Sequence, residues 1–213
     1  MSAANKSTQA YEVLEQFIIF QDLPPGSLYS EQEIVNVSGF GRTPVREALQ
    51  RLVGDRLVEI SRRGVYIPEM TVDSQLNLLE LRRPLEETTA RLAARRRTSV
   101  QKEAASQMVS RLFDFSGGDV REFEAMLRSV HSLLVDCAHN QYLAGTMGPL
   151  QALSRRFWFA HLHEPDAEVR RAAELHSDIL RAVADGLEGE SALAAHRLHD
   201  YLSAFAVDTL SRR

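Results

Sequence analysis

Arginine is the first residue type whose placement suggests chemistry. Arg42, Arg46, Arg51, Arg56, Arg62 and Arg63 crowd together against only Glu47, Asp55 and Glu59, in a chain of formal net charge −4. A guanidinium is planar and always charged, and its paired N–H groups match guanine O6 and N7 or two phosphate oxygens. A locally basic surface on an acidic body suits the reading of a DNA duplex, because acidity elsewhere limits indiscriminate binding. Histidine is the second such type. All 7 histidines fall between His131 and His199, and imidazole can ligate metal, carry a proton or hydrogen-bond a ligand. Cys137 is the single cysteine; it can form no internal disulfide, which fits a reducing cytoplasm.

Local signals show what would position the arginines. "TQAYEVLEQFIIFQ" (8–21) carries Tyr11, Leu14, Phe17 and Ile18 at helical spacing, and "LPPGS" ends that helix. Ser30 with Glu33 forms a capping box that opens a second helix running through Val37. Ser38-Gly39-Phe40-Gly41 supplies a tight corner. A third helix spans about Arg42 to Gly54, with Pro44 tolerated in its first turn. Its buried stripe is Val45, Ala48, Leu49 and Leu52, which leaves Arg42 and Arg46 pointing outward. "LVEIS" and "VYI" then read as two strands joined across Arg62-Arg63-Gly64. Helix, helix, turn, helix and hairpin make a winged helix-turn-helix, whose third helix enters the major groove by its N-terminal residues.

Beyond Pro68 the strand pattern stops. Helices are expected over 71–96, with a kink near Pro84, and over roughly 99–115, 119–139, 141–160, 166–186 and 189–211. Such a run makes an antiparallel bundle. The fold class is therefore mainly α: a winged helix-turn-helix (three helices plus a small β-hairpin) over 7–70, and an all-helical domain over 71–213. Trp158 and its neighbours in "RRFWFAHL" read as core. No stretch approaches the ~18 consecutive apolar residues of a membrane span, so a cytoplasmic protein with no membrane partner is expected.

The stretch from "LPPGSLYSEQEI" through "GRTPVREALQRL" to "RRGVYI" resembles the DNA-binding domain of GntR-family bacterial transcription regulators. The remainder resembles the helical effector domain of the FadR-type (FCD) branch. The resemblance implies a sequence-specific regulator, most often a repressor, that binds a palindromic operator in double-stranded DNA as a homodimer and answers to a small-molecule effector. It implies that Arg42, Thr43 and Arg46 contact the operator, with Gly64 at the wing tip. Arg51, Arg62 and Arg63 are further DNA-binding candidates on the third helix and the wing. Two positions depart from the family pattern. Gly41 stands where a serine commonly supplies a cap or a phosphate contact, and Gln32 stands where some relatives carry a basic residue.

The same resemblance implies a divalent metal (Zn, Ni, Fe or Mn) inside the bundle, held by an Asp-x-x-x-His pair and two later histidines. The matching histidines are His131 in "VHSLLVDCAHN", His176 in "LHSDILRAVADG" and His199 in "AAHRLHDYL". Leu127 occupies the place of the aspartate, so a site here would be three-histidine, with Glu124 as a substitute ligand one further turn back. Arg82 matches the arginine that receives an effector carboxylate, and it also reads as a surface ion-pair partner of Glu86 at i+4. Arg82, His131, His176 and His199 thus form the expected effector pocket. His139, His161, His163 and His196 read as surface or loop residues. Two rivals remain at this stage: a metal-free regulator binding a long-chain acyl ligand, and a metal-dependent enzyme using the three histidines. No glutamate general base sits at motif spacing beside those histidines, which counts against the enzyme.

Overall fold

The computed structural model describes residues 3–115 and 118–211. Its elements are α1 (Ala3–Ile19), β1 (Leu28–Tyr29), α2 (Glu31–Ser38), α3 (Arg42–Gly54), β2 (Glu59–Ser61), β3 (Gly64–Tyr66), α4 (Val72–Arg96), α5 (Ser99–Asp114), α6 (Val120–Ala138), α7 (Gln141–Ala160), α8 (Pro165–Asp185) and α9 (Glu188–Ser211). These fall into two compact units. One runs to Thr71 and takes in Ala152–Ala160; the other holds Val72–Gln151 and the chain from His161 onward. The sequence reading divides the chain into 7–70 and 71–213. The last part of α7, by contrast, packs with the first unit.

In that unit, Leu14 and Ile18 of α1, Ile34 of α2 and the four apolar residues of α3 are buried, with Leu57, Val65 and Ile67 beside them. Ser30 caps α2 by accepting from the Glu33 N–H, and Glu33 closes the capping box. Gly39, at φ 73°, ends the helix in the left-handed conformation that glycine adopts without strain. Gly41 supplies no side-chain cap to α3. Leu57 and Val58 are not in a strand. Arg56 turns the chain at φ 59°, and both following N–H groups donate to the Leu52 carbonyl, which draws the two side chains into the core.

The wing has three strands, in the order β1-β3-β2. Ser61 pairs with Gly64, so the turn residues are Arg62 and Arg63. β1 pairs Leu28 with Tyr66 and Tyr29 with Val65. Its ladder continues through Ser27 and Gly26, which bond Ile67.

Ala152–Ala160 completes this unit. Ala152 joins its core, and Phe157, Trp158 and Phe159 are buried as expected. Arg155 meets Glu15 at 3.2 Å, both nearly inaccessible, and Arg156 donates to the Pro68 carbonyl.

In the second unit α4 packs against α9 and α6, and α8 against α5 and α9. The helix limits fall within a few residues of expectation. Thr98 and Gln101 form a capping box for α5, Asp119 caps α6, and Gly186 ends α8. α4 remains one helix through Pro84. None of the helices among the described residues is long and apolar enough to cross a membrane.

Candidate functional site

α3 carries the first group of candidates. With Val45, Ala48, Leu49 and Leu52 turned into the core, Arg42, Thr43 and Arg46 are exposed at its N-terminal end. Each arginine is already engaged by α2. Arg42 Nη2 donates to Gln32 Oε1 at 2.8 Å, and Arg46 Nε donates to Glu31 Oε1 at 2.7 Å. Arg62 and Arg63 are exposed at the wing turn, where Arg63 N–H donates to Ser61 Oγ.

Two of the DNA-binding candidates sit differently. Arg51 lies nine positions after Arg42, close to two and a half helical turns, and so faces the opposite side. Its guanidinium covers the Tyr11 ring at 4.2 Å, and the Tyr11 hydroxyl donates to Asp55 Oδ2. That contact ties α3 to α1. Gly64 lies in β3, just past the turn, where a Cβ would stand 2.3 Å from the Tyr29 carbonyl oxygen. The close approach of β1 requires glycine at this position.

The second group lies inside the helical unit. Arg82 and Glu86 are both buried, with Arg82 Nε donating to Glu86 Oε2 at 2.7 Å. Gln151 Nε2 donates to the other oxygen, Oε1, at 3.2 Å. His131 and His176 approach Nε2 to Nε2 at 3.4 Å. His176 Nδ1 faces the Ala172 carbonyl at 2.7 Å; a carbonyl only accepts, so Nδ1 carries the hydrogen and Nε2 the lone pair. His199 is fully buried and its Nε2 lies 3.6 Å from Glu86 Oε2, beyond hydrogen-bond length. Neither of its ring nitrogens has a hydrogen-bond partner among the described residues.

Burial alone would raise the Glu86 carboxyl, but the Arg82 guanidinium and the His199 imidazole outweigh it and hold it well below the usual carboxylate range. Burial lowers both His176, to about 4, and His199. The unfolded chain, with histidine near ~6.5, therefore binds a proton that the folded His176 refuses. Stability should fall as pH drops from about 6.5 towards 4, by about 3 kcal/mol from His176 alone. Glu86 adds a loss below its unfolded value of ~4.3. Urea titrations across that range should show His176→Leu losing roughly one proton of pH dependence.

Family comparisons bear on both groups. Residues 6–67 match the bacterial regulatory proteins of the gntR family, and residues 77–203 match the FCD domain. The chain belongs to the GntR family. It is 30% identical to the HTH-type transcriptional regulator LutR of Bacillus subtilis, over 86% of this chain and 95% of that protein. It is 26% identical to the HTH-type transcriptional repressor RspR of Escherichia coli (84% and 81%). With the probable D-xylose utilization operon transcriptional repressor of Paenarthrobacter nicotinovorans it shares 28% (86% and 79%). Among solved structures, E. coli McbR/YncC superimposes with a TM-score of 0.79 at 17% identity, covering 96% and 98% of the two chains, which shows the fold. This GntR-family protein is a transcription regulator and not an enzyme, which sets the metal-dependent enzyme aside.

The FCD metal can be tested against the donors present. His131 and His176 form a pair of imidazoles at a spacing one metal could bridge. No group of three His, Cys, Asp or Glu able to hold a metal occurs among the described residues. His199 faces Glu86 instead, and Glu86 is taken by Arg82 and Gln151. Leu127 is buried and apolar, and Glu124 lies 3.8 Å from Arg128. The three-histidine shell expected from the family does not fit this donor arrangement. Glu86 and Gln151 are the cluster members that sequence reasoning missed as pocket residues.

Proposed function

We propose that this GntR-family regulator binds a palindromic operator as a homodimer and acts as a repressor, released when a small carboxylate seats in the histidine cluster of its helical unit. The exposed Arg42 and Arg46 at the N-terminal end of α3 carry the DNA half of this reading. Thr43 and the wing residues Arg62 and Arg63 supply phosphate contacts. Two symmetry-related recognition helices one duplex turn apart need a dimer. The relatives named repressors support the sign of regulation.

His199 carries the effector half. A fully buried imidazole without a hydrogen-bond partner is costly, and a ligand atom would remove that cost. An arriving carboxylate finds an N–H donor at His199 and would share the Arg82 guanidinium with Glu86.

Selection of duplexes from a randomised pool by the full-length protein should yield a palindrome. Arg42→Ala should then bind it about 10- to 100-fold more weakly at fixed salt, with the fold intact by circular dichroism. Unchanged affinity would remove α3 from the interface. A thermal-shift panel of small mono- and dicarboxylates should stabilise the wild type and not His199→Leu. Native mass spectrometry that finds a retained long-chain acid would replace the small carboxylate with the acyl ligand.

A further inference from the structure

α2 holds the recognition arginines in a way that bears on what they can read. Glu31 and Gln32, adjacent in its first turn, each take one arginine of α3: Glu31 takes Arg46 through Nε, and Gln32 takes Arg42 through Nη2. Their own positions are set. The Ser30/Glu33 capping box fixes the start of α2, and Ile34 anchors it in the core. Gln32 is tied once more, donating Nε2 to Asn36 Oδ1 at 2.9 Å. An arginine only donates, so the Gln32 oxygen faces Arg42 and its nitrogen faces Asn36.

A guanidinium has two edges that present paired N–H groups, Nε with Nη2 and Nη1 with Nη2. A partner on Nε removes the first of these. A partner on either Nη2 hydrogen removes one of the two. Each recognition arginine is therefore left with a single two-pronged edge, in a side chain that would otherwise be free to rotate. Exposed contacts of this kind add little to stability; their effect is to order the donor before it meets its target. Glu31 also puts negative charge where phosphates approach, so it weakens binding to any duplex that does not repay it.

We propose that Glu31 and Gln32 are specificity-determining positioning residues, each blocking one edge of a recognition arginine so that the remaining edge meets a guanine in one orientation. This rests on α3 being the recognition helix.

The test uses full-length protein, the duplex recovered by selection, and a scrambled duplex of the same composition, at one salt concentration. Glu31→Ala should bind the scrambled duplex more tightly, while the selected-to-scrambled affinity ratio falls about tenfold. Glu31→Gln keeps an acceptor for Arg46, so it should share the first effect and recover most of the ratio. Gln32→Ala should lower the ratio and relax guanine preference at one position of each half-site, and Gln32→Glu should restore it. An unchanged ratio in both alanine variants, with Arg42→Ala and Arg46→Ala still lowering it, overturns this inference alone. If the two arginine variants also leave the ratio unchanged, the recognition-helix reading falls with it. A parallel loss on both duplexes, with a lowered melting temperature, marks a merely structural role and likewise overturns the proposal.

Discussion

Arg82→Met should destabilise the helical unit by about 3–5 kcal/mol, because it strands the Glu86 carboxylate where water cannot reach it. The attraction between the two charges is not what sets that figure; the uncompensated burial of the survivor is. Adding Glu86→Gln should therefore recover most of the loss. The amide removes the stranded charge and still offers Gln151 an oxygen to bond. Denaturant unfolding of the single and double variants measures the difference. Carboxylate-induced stabilisation should be absent from both variants, so recovered stability without recovered response would separate the two roles of Arg82.

Gly64→Ala should be similarly severe in the first unit. At φ +131° any side chain is strained, by about 1–3 kcal/mol. The new methyl would also meet the Tyr29 carbonyl, a backbone atom that no rotamer change can move. β1 must then separate from β3, for an expected total of about 3 kcal/mol or more. Arg62→Ala with Arg63→Ala provides the contrast. Both side chains are exposed, and stability should stay within about 0.5 kcal/mol. If these arginines touch phosphate, affinity should fall evenly across sequences and the salt dependence should flatten. Calorimetry beside DNA titration distinguishes a residue that builds the wing from residues that use it.

The recognition half was legible because its signals are local. Ser30 and Glu33 sit three apart, Gly39 stands at the corner, and the apolar stripe of α3 names its outward face. β1 was not legible, since two residues are too short to show alternation and their pairing depends on a strand far along the chain. Arg51 was grouped with the others by charge alone, although the helical period sets it opposite Arg42, on the side where it covers Tyr11. The Arg82–Glu86 pair was seen, but its burial was missed. The clue was available: Leu79, Arg82, Glu86, Ala90 and Ala93 share one face of α4, and all are buried. That His199 faces Glu86, with Gln151 on its other oxygen, depends on three helices meeting. Neither spacing nor resemblance carries that information.

The nine-residue end of α7 bears on how freely this architecture can be cut and recombined. A fragment stopping at residue 71 would keep every DNA-contacting candidate. It would lose Ala152 from its core, the Arg155 ion pair to Glu15 and the Phe159 ring packed on Phe20. Such a fragment should express as an unstable or unfolded peptide, and heteronuclear NMR of residues 1–71 would show this as collapsed amide dispersion. A chimera that joins these 71 residues to another regulator's helical domain should fail for the same reason, unless that domain brings a matching arginine. The reading head is thus not a detachable cassette, and the chain must be almost three-quarters synthesised before it can finish folding.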